Sequence, residues 1–212
     1  MPEKNLFLDY GRLIADYDFN RETLQRANKL ALSYINSLSN QEVSSKSLET
    51  AHDKAIQAYL RTRKKDNSEW TMNHIMSLMV LNLGITADVQ QLEDIYKFND
   101  HNSVIFPDSR KILGELGDKY KLGIISNLPH DSLIYELKKE NMQSLFDPIV
   151  ISYQVGFRKP HPTIYLEALK RANTSPENSI FVSHDKQEVI GAKKVGMKGL
   201  LVKSLEEVIG IL

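Results

Sequence analysis

Three features of the sequence predict an α/β chain with a doubly wound parallel sheet, interrupted early by a helical bundle. From Pro107 onward, short apolar runs alternate with segments of helical period. One further apolar run, "LFLD" at 6–9, stands alone near the start. Between them, from about Asn20 to Phe98, the apolar residues recur only at helical spacing. Strands alternating with helices build parallel sheets, because each right-handed crossover lays a helix on the sheet.

The elements follow in order. "LFLD" is short and apolar enough for a buried strand. Leu24, Ala27, Leu30, Ala31 and Tyr34 share one helical face, as do Ala51, Ala55, Ala58 and Tyr59, and then Met72, Ile75, Met76 and Met79. The polar stretches "SLSNQEVSS" at 37–45 and "KKDNSE" at 64–69 separate these faces and offer capping residues. A bundle of about four helices is expected there. Beyond Pro107, helices near 108–118, 131–140, 161–172 and 187–195 alternate with strands at 121–126, 148–152, 179–183 and 199–202. The predicted division is a Rossmann-like core at 1–15 and 103–212, with an inserted helical-bundle cap at 16–102.

Composition narrows the function. Hydrophobic residues make up 42% and charged residues 25% of the 212, ordinary values for a globular chain. With 27 basic and 27 acidic residues there is no net charge to draw nucleic acid or an anionic membrane. The absence of cysteine excludes disulfides, thiolate metal sites and cysteine nucleophiles. The start, "MPEKNLFLDYG", lacks a secretory apolar core, and the run Ile75 to Ile85 is too short to span a bilayer. A cytoplasmic monomer or homodimer is expected, acting on a small molecule.

In open α/β sheets the chemistry lies beyond the carboxyl ends of the strands. Four predicted strand ends carry polar groups. These are Asp9, then Ser126 with Asn127, then Lys159 in "GFRKPHP", then Ser183, His184, Asp185 and Glu188 in "VSHDKQE". Singly, each has a plain structural explanation: Asp9 as a turn residue before Gly11, Ser126-Asn127 as a cap, Lys159 as a surface lysine. The four together, in this order, are far more specific.

In that order and spacing the chain resembles the haloacid dehalogenase-like hydrolase superfamily over nearly its whole length. "LFLD" is similar to the family's first motif, "LGIISN" to its second, "GFRKPHPTIY" to its third and "FVSHDKQEVIGAKKVGM" in outline to its fourth. The resemblance implies a nucleophilic Asp9, phosphoryl-oxygen contacts from Ser126 and Asn127, and charge neutralisation by Lys159. It also implies magnesium, or another divalent cation at a weakened site, between Asp9, the Gly11 carbonyl, Asp185 and Glu188.

The first and fourth motifs are altered. Many family phosphatases carry a second aspartate where this chain has Gly11. "DYGRLIADYDFNR" instead resembles sugar-phosphate phosphatases of the glucose-1-phosphate type, which lack that aspartate but keep paired acids where this chain has Ser183-His184. "VSHDKQE" resembles the fourth motif of 2-haloacid dehalogenases, which need no metal, and Tyr165 falls at a position they use. Imidazole is a poor magnesium ligand. Three acids near a single lysine nevertheless call for a further cation. The favoured expectation is a phosphatase acting on a small phosphorylated metabolite through an aspartyl-phosphate. The alternatives are a metal-independent dehalogenase-like hydrolase and a non-catalytic relative used for binding.

Overall fold

The computed structural model describes residues 4–18, 20–38, 42–99 and 102–212; Phe19 of "DYDFNR" and residues 39–41 of the predicted polar break lie outside them. The chain divides into two compact units, residues 1–17 with 103–212, and residues 18–102.

The first unit is built on a five-stranded parallel sheet. Its strands are β1 (Asn5–Leu8), β4 (Lys121–Ser126), β5 (Ile149–Ile151), β6 (Ser179–Ser183) and β7 (Lys198–Leu201), in the order β5-β4-β1-β6-β7. Apolar side chains on both faces suit a sheet covered by helices on both sides. Leu6 and Leu8 pack into one cluster with Ile112, Leu113, Leu133, Leu137 and Val208. These come from α5 (Ser109–Gly117), α6 (Ser132–Lys139) and α10 (Leu205–Ile211). Phe7, between them, points to the other cluster, with Ile164, Tyr165 and Leu169 of α8 (Pro162–Arg171) and Ala192 of α9 (Lys186–Lys194). The pleat makes this alternation.

Strand β1 lies at the centre. From it the chain reaches β4 and β5 on one side, then crosses to β6 and β7 on the other. That reversal opens a crevice at the carboxyl ends of β1 and β6. A short α7 (Ser152–Val155) follows β5, and a two-stranded sheet pairs β2 (Ala15–Asp18) with β3 (Asn102–Ile105). The sequence reading missed β2, β3 and α10. "ADYD" and "NSVI" are too short and too polar to show a period of two.

The second unit holds four helices among its described residues: α1 (Arg21–Leu38), α2 (Ser45–Asp66), α3 (Met72–Leu83) and α4 (Val89–Asn99). Asn20 accepts from the Glu22 and Thr23 amides to start α1, Ser44 caps α2 and Thr71 caps α3. Gly84 ends α3 at φ 65°, a left-handed turn that costs glycine least. Ala27, Ala31, Ala55, Tyr59, Met76, Met79, Leu92 and Tyr96 form its core. Leu30, expected on the α1 face, is instead exposed. Among the described residues no helix is long and apolar enough to cross a membrane.

Candidate active site

Asp9 stands one residue past β1, where its backbone amide still donates to the Val182 carbonyl at 2.9 Å. The β1–β6 ladder pairs Leu8 with Val182. One step further, that register sets Asp9 beside Ser183. Both side chains therefore emerge at the crevice. Lys159 reaches the same point from the loop before α8. Its Nζ lies 2.6 Å from Asp9 Oδ1 and 3.0 Å from Glu188 Oε2, with the Lys159 side chain fully buried. Its ammonium also lies 5.3 Å from the centre of the Phe181 ring, a further favourable contact for a buried cation.

The fourth predicted motif supplies the rest. Asp185 caps α9, accepting from the Gln187 and Glu188 amides through Oδ1. That cap turns Glu188 inward. Its Oε2 accepts from Ser183 Oγ at 2.8 Å, and its Oε1 accepts from Asn127 Nδ2 at 3.0 Å. Close backbone packing holds α9 in place. A Cβ added at Gly191 would lie 2.7 Å from the Pro160 carbonyl oxygen and 2.9 Å from the Tyr165 hydroxyl. The Tyr165 hydroxyl donates to the Glu188 carbonyl at 2.7 Å, so this tyrosine supports α9 from the buried side. His184 sits at the rim. Its Nδ1 lies 3.1 Å from Asp9 Oδ2, within ion-pair range but not aligned as a hydrogen bond.

Ser126 ends β4, buried beside the crevice. Asn127 is tied to the loop that carries Lys159. Its Nδ2 donates to the Lys159 carbonyl and to Glu188, and its Oδ1 accepts from the Lys159 amide at 2.7 Å. Both amide protons are thus used within the protein, and Asn127 positions the loop that carries Lys159.

The charges settle as follows. Burial pushes the Asp9 carboxyl up, but the Lys159 ammonium and His184 outweigh it and hold Asp9 below its ordinary value. Burial likewise opposes a charged Lys159, yet Asp9 and Glu188 keep it above its ordinary value. Glu188 is held above the usual carboxylate range, first by burial and then by Asp9, against the pull of Lys159. Contact with Asp9 raises His184, against burial and the Arg12 guanidinium. An ionised carboxylate thus stands at the crevice between an ammonium and an imidazole.

Two residues near this centre were not singled out by sequence. Arg12 is exposed, in a left-handed conformation at φ 61°, and its charge acts on His184. Tyr17 fills the space beside Gly11, where an added Cβ would lie 3.4 Å from its ring. Neither belongs to a spacing pattern, so only the folded loop brings them in.

A magnesium ion fits this arrangement poorly. It needs several oxygen ligands in near-octahedral order. Asp9 Oδ1 is held by Lys159 Nζ and Oδ2 faces the His184 ring nitrogen, both Glu188 oxygens accept from side chains of the chain, and Asp185 Oδ1 is spent on the helix cap. Among the described residues no group of three His, Asp or Glu side chains is placed to hold a metal ion.

Comparison with known proteins gives the fold a family. The chain is 37% identical over 101 residues to a glyceraldehyde 3-phosphate phosphatase of Methanothermobacter thermautotrophicus, which is 47% of this chain and 45% of that one. In that relative, and in two of the same name from Pyrococcus abyssi and Pyrococcus furiosus, the match covers less than half of the relative's own length. A 2-haloacid dehalogenase from Pseudomonas syringae pv. Tomato superposes with a TM-score of 0.66 at 19% identity, over 94% of this chain and 86% of that one. A HAD phosphatase from Thermococcus onnurineus gives 0.65 at 20%, over 98% and 97%. Two such near-equal scores establish the fold and leave the chemistry open. A family model described as haloacid dehalogenase-like hydrolase matches residues 17–202. With that span and with the parallel sheet that sets Asp9 at its switch point, the chain belongs to the haloacid dehalogenase-like hydrolase family.

Proposed function

We propose that this chain is a hydrolase that removes the phosphoryl group from a small phosphorylated metabolite, with Asp9 as the nucleophile. An Asp9 oxygen attacks phosphorus, the P–O bond to the alcohol breaks, and the alcohol departs, taking its proton from solvent because Gly11 offers no side-chain acid. Water then attacks the aspartyl-phosphate and releases inorganic phosphate with a free Asp9 carboxylate. Lys159 neutralises the charge that builds on the phosphoryl oxygens. Ser126 is assigned to those oxygens, and Asn127 to positioning Lys159.

The observation that supports this most is the buried Asp9–Lys159 pair at 2.6 Å, at the carboxyl end of the central strand. The partial relatedness to phosphatases supports the substrate class. Magnesium is the cation that the family resemblance implies. Of the four residues named for it, Asp9, Gly11, Asp185 and Glu188, the Asp9 and Glu188 oxygens are engaged by groups of the chain, so no step here passes through it. The helical unit, residues 18–102, is assigned the substrate-selecting role of a cap. In this reading the protein acts in the cytoplasm as a monomer or homodimer, without nucleic acid or membrane.

One feature of the site favours a second reading. Nitrogen atoms beside both Asp9 oxygens suit a dehalogenase, in which Asp9 displaces halide from carbon and water cleaves the resulting ester. A panel of phosphate monoesters and 2-haloacids, each assayed with magnesium, manganese or chelator, separates the two. Phosphate release is expected. Halide release instead would establish the dehalogenase reading, and neither product would leave a binding role.

A further inference from the structure

The carboxylates at the carboxyl ends of β1 and β6 are few, and this chain has its own groups on nearly all of their oxygens. Asp9 Oδ1 is held by Lys159 Nζ at 2.6 Å. Asp9 Oδ2 faces His184 Nδ1 at 3.1 Å and Ser183 Oγ at 3.4 Å. Glu188 Oε1 accepts from Asn127, and Oε2 from both Ser183 and Lys159. A hard cation gains little from oxygens already committed to an ammonium, and nothing from an imidazole where it wants oxygen.

We propose that this site excludes divalent cations, and that His184, seated against Asp9 Oδ2, is the group that excludes them. Whatever its charge, the imidazole sets a nitrogen against Asp9 Oδ2, the carboxylate oxygen that Lys159 does not hold. Glu188 cannot take over that role. Its two oxygens tie Lys159, Ser183 and Asn127 together, and releasing them would leave a buried ammonium and amide short of partners. The site therefore draws its positive charge from the buried Lys159, with the His184 imidazole seated at the rim. This concerns cation binding at the same site and does not depend on which substrate is cleaved.

The test is direct binding, measured apart from turnover. The full chain is titrated with Mn2+ and bound ion is read by electron paramagnetic resonance, with Mg2+ calorimetry beside it. Wild type is expected to bind neither ion at millimolar concentration. His184→Asp replaces the imidazole with a carboxylate beside Asp9 and is expected to gain one Mn2+ per chain, lost again when Asp9→Asn is added. Should that variant not fold, His184→Asn puts a neutral amide oxygen in the same place and is expected to gain weaker binding. One Mn2+ on wild type, lost in Asp9→Asn, would overturn the proposal. A folded His184→Asp that still binds no ion would overturn the role given to His184. Turnover by wild type that is unchanged by chelator supports the proposal, and turnover abolished by chelator and restored by magnesium contradicts it.

Discussion

Both units of this chain bury polar groups, but they organise them differently. In the α/β unit, Asp9, Lys159, Asn127, Ser183 and Glu188 form one connected network, in which each member holds at least one other. In the helical unit, buried tyrosine hydroxyls donate to buried polar side chains. Tyr59 donates to Glu69 at 2.6 Å, and Tyr96 donates to Asn28 at 2.7 Å while stacking on His52. Such hydroxyl contacts fix how helices pack. A connected set of opposite charges at a sheet's carboxyl edge holds a reactive carboxylate ionised and in place, which packing alone does not need.

If that distinction is right, substitutions in the two units should differ in kind. The largest effect belongs to Asp9→Asn. Turnover should fall about 10⁴-fold or more, as for removal of other covalent nucleophiles, while the chain stays folded because Lys159 keeps Glu188. Steady-state kinetics with circular dichroism checks both halves, and retained turnover would place the nucleophile elsewhere.

Lys159→Met comes next. It leaves two carboxylates facing each other in a buried site, a change that costs about 3–5 kcal/mol. Denaturant unfolding measures the loss. The connected network also predicts that Lys159→Met and Glu188→Gln are strongly non-additive, and additive changes would reduce it to independent pairs.

Tyr59→Phe in the helical unit should cost less, about 1–3 kcal/mol, by removing one partner of a buried glutamate. It should combine additively with changes around Asp9, which belongs to the other compact unit. Strong coupling between them would erase the comparison.

The smallest effect is a pH dependence. His52 is buried in the helical unit, its Nδ1 lacks a hydrogen-bond partner among the described residues, and the Asp53 carboxylate is 4.0 Å away. Burial holds His52 below the ordinary histidine value of 6.5, against the pull of Asp53. Below pH 6.5 the unfolded chain therefore takes up a proton that the folded chain refuses, and stability falls as the pH drops. Above 6.5 both states are neutral and this contribution is flat. His52→Gln should remove that slope from an unfolding series across this range, and an unchanged slope would assign it to other groups.

Much of this was legible in sequence because the strands are short apolar runs bounded by polar ends. The five strands of the main sheet, and Asp9, Lys159 and Ser183 at its edge, could be found from order and spacing alone. Side-chain commitments could not. Nothing in "SHDKQE" says that Asp185 caps a helix while Glu188 turns inward, since either acid has the reach to be a ligand. A strand end in sequence supplies only proximity for Asn127, whereas its three hydrogen bonds depend on the loop before α8. The contact of the Tyr165 hydroxyl with the Glu188 carbonyl likewise depends on the packing of α9 over Gly191. Distances across the sheet are set by register and crossover, which a linear pattern does not encode.

The central claim is that Asp9 carries the phosphoryl group. Wild-type chain is mixed with excess of a small phosphate monoester that it turns over, quenched in acid on the millisecond scale, and digested for mass spectrometry. One phosphoryl adduct is expected on the peptide that contains Asp9, absent from Asp9→Asn and lost on treatment with hydroxylamine, which cleaves acyl phosphates. Phosphate release with no adduct at any quench time, together with activity that survives in Asp9→Asn, would contradict it.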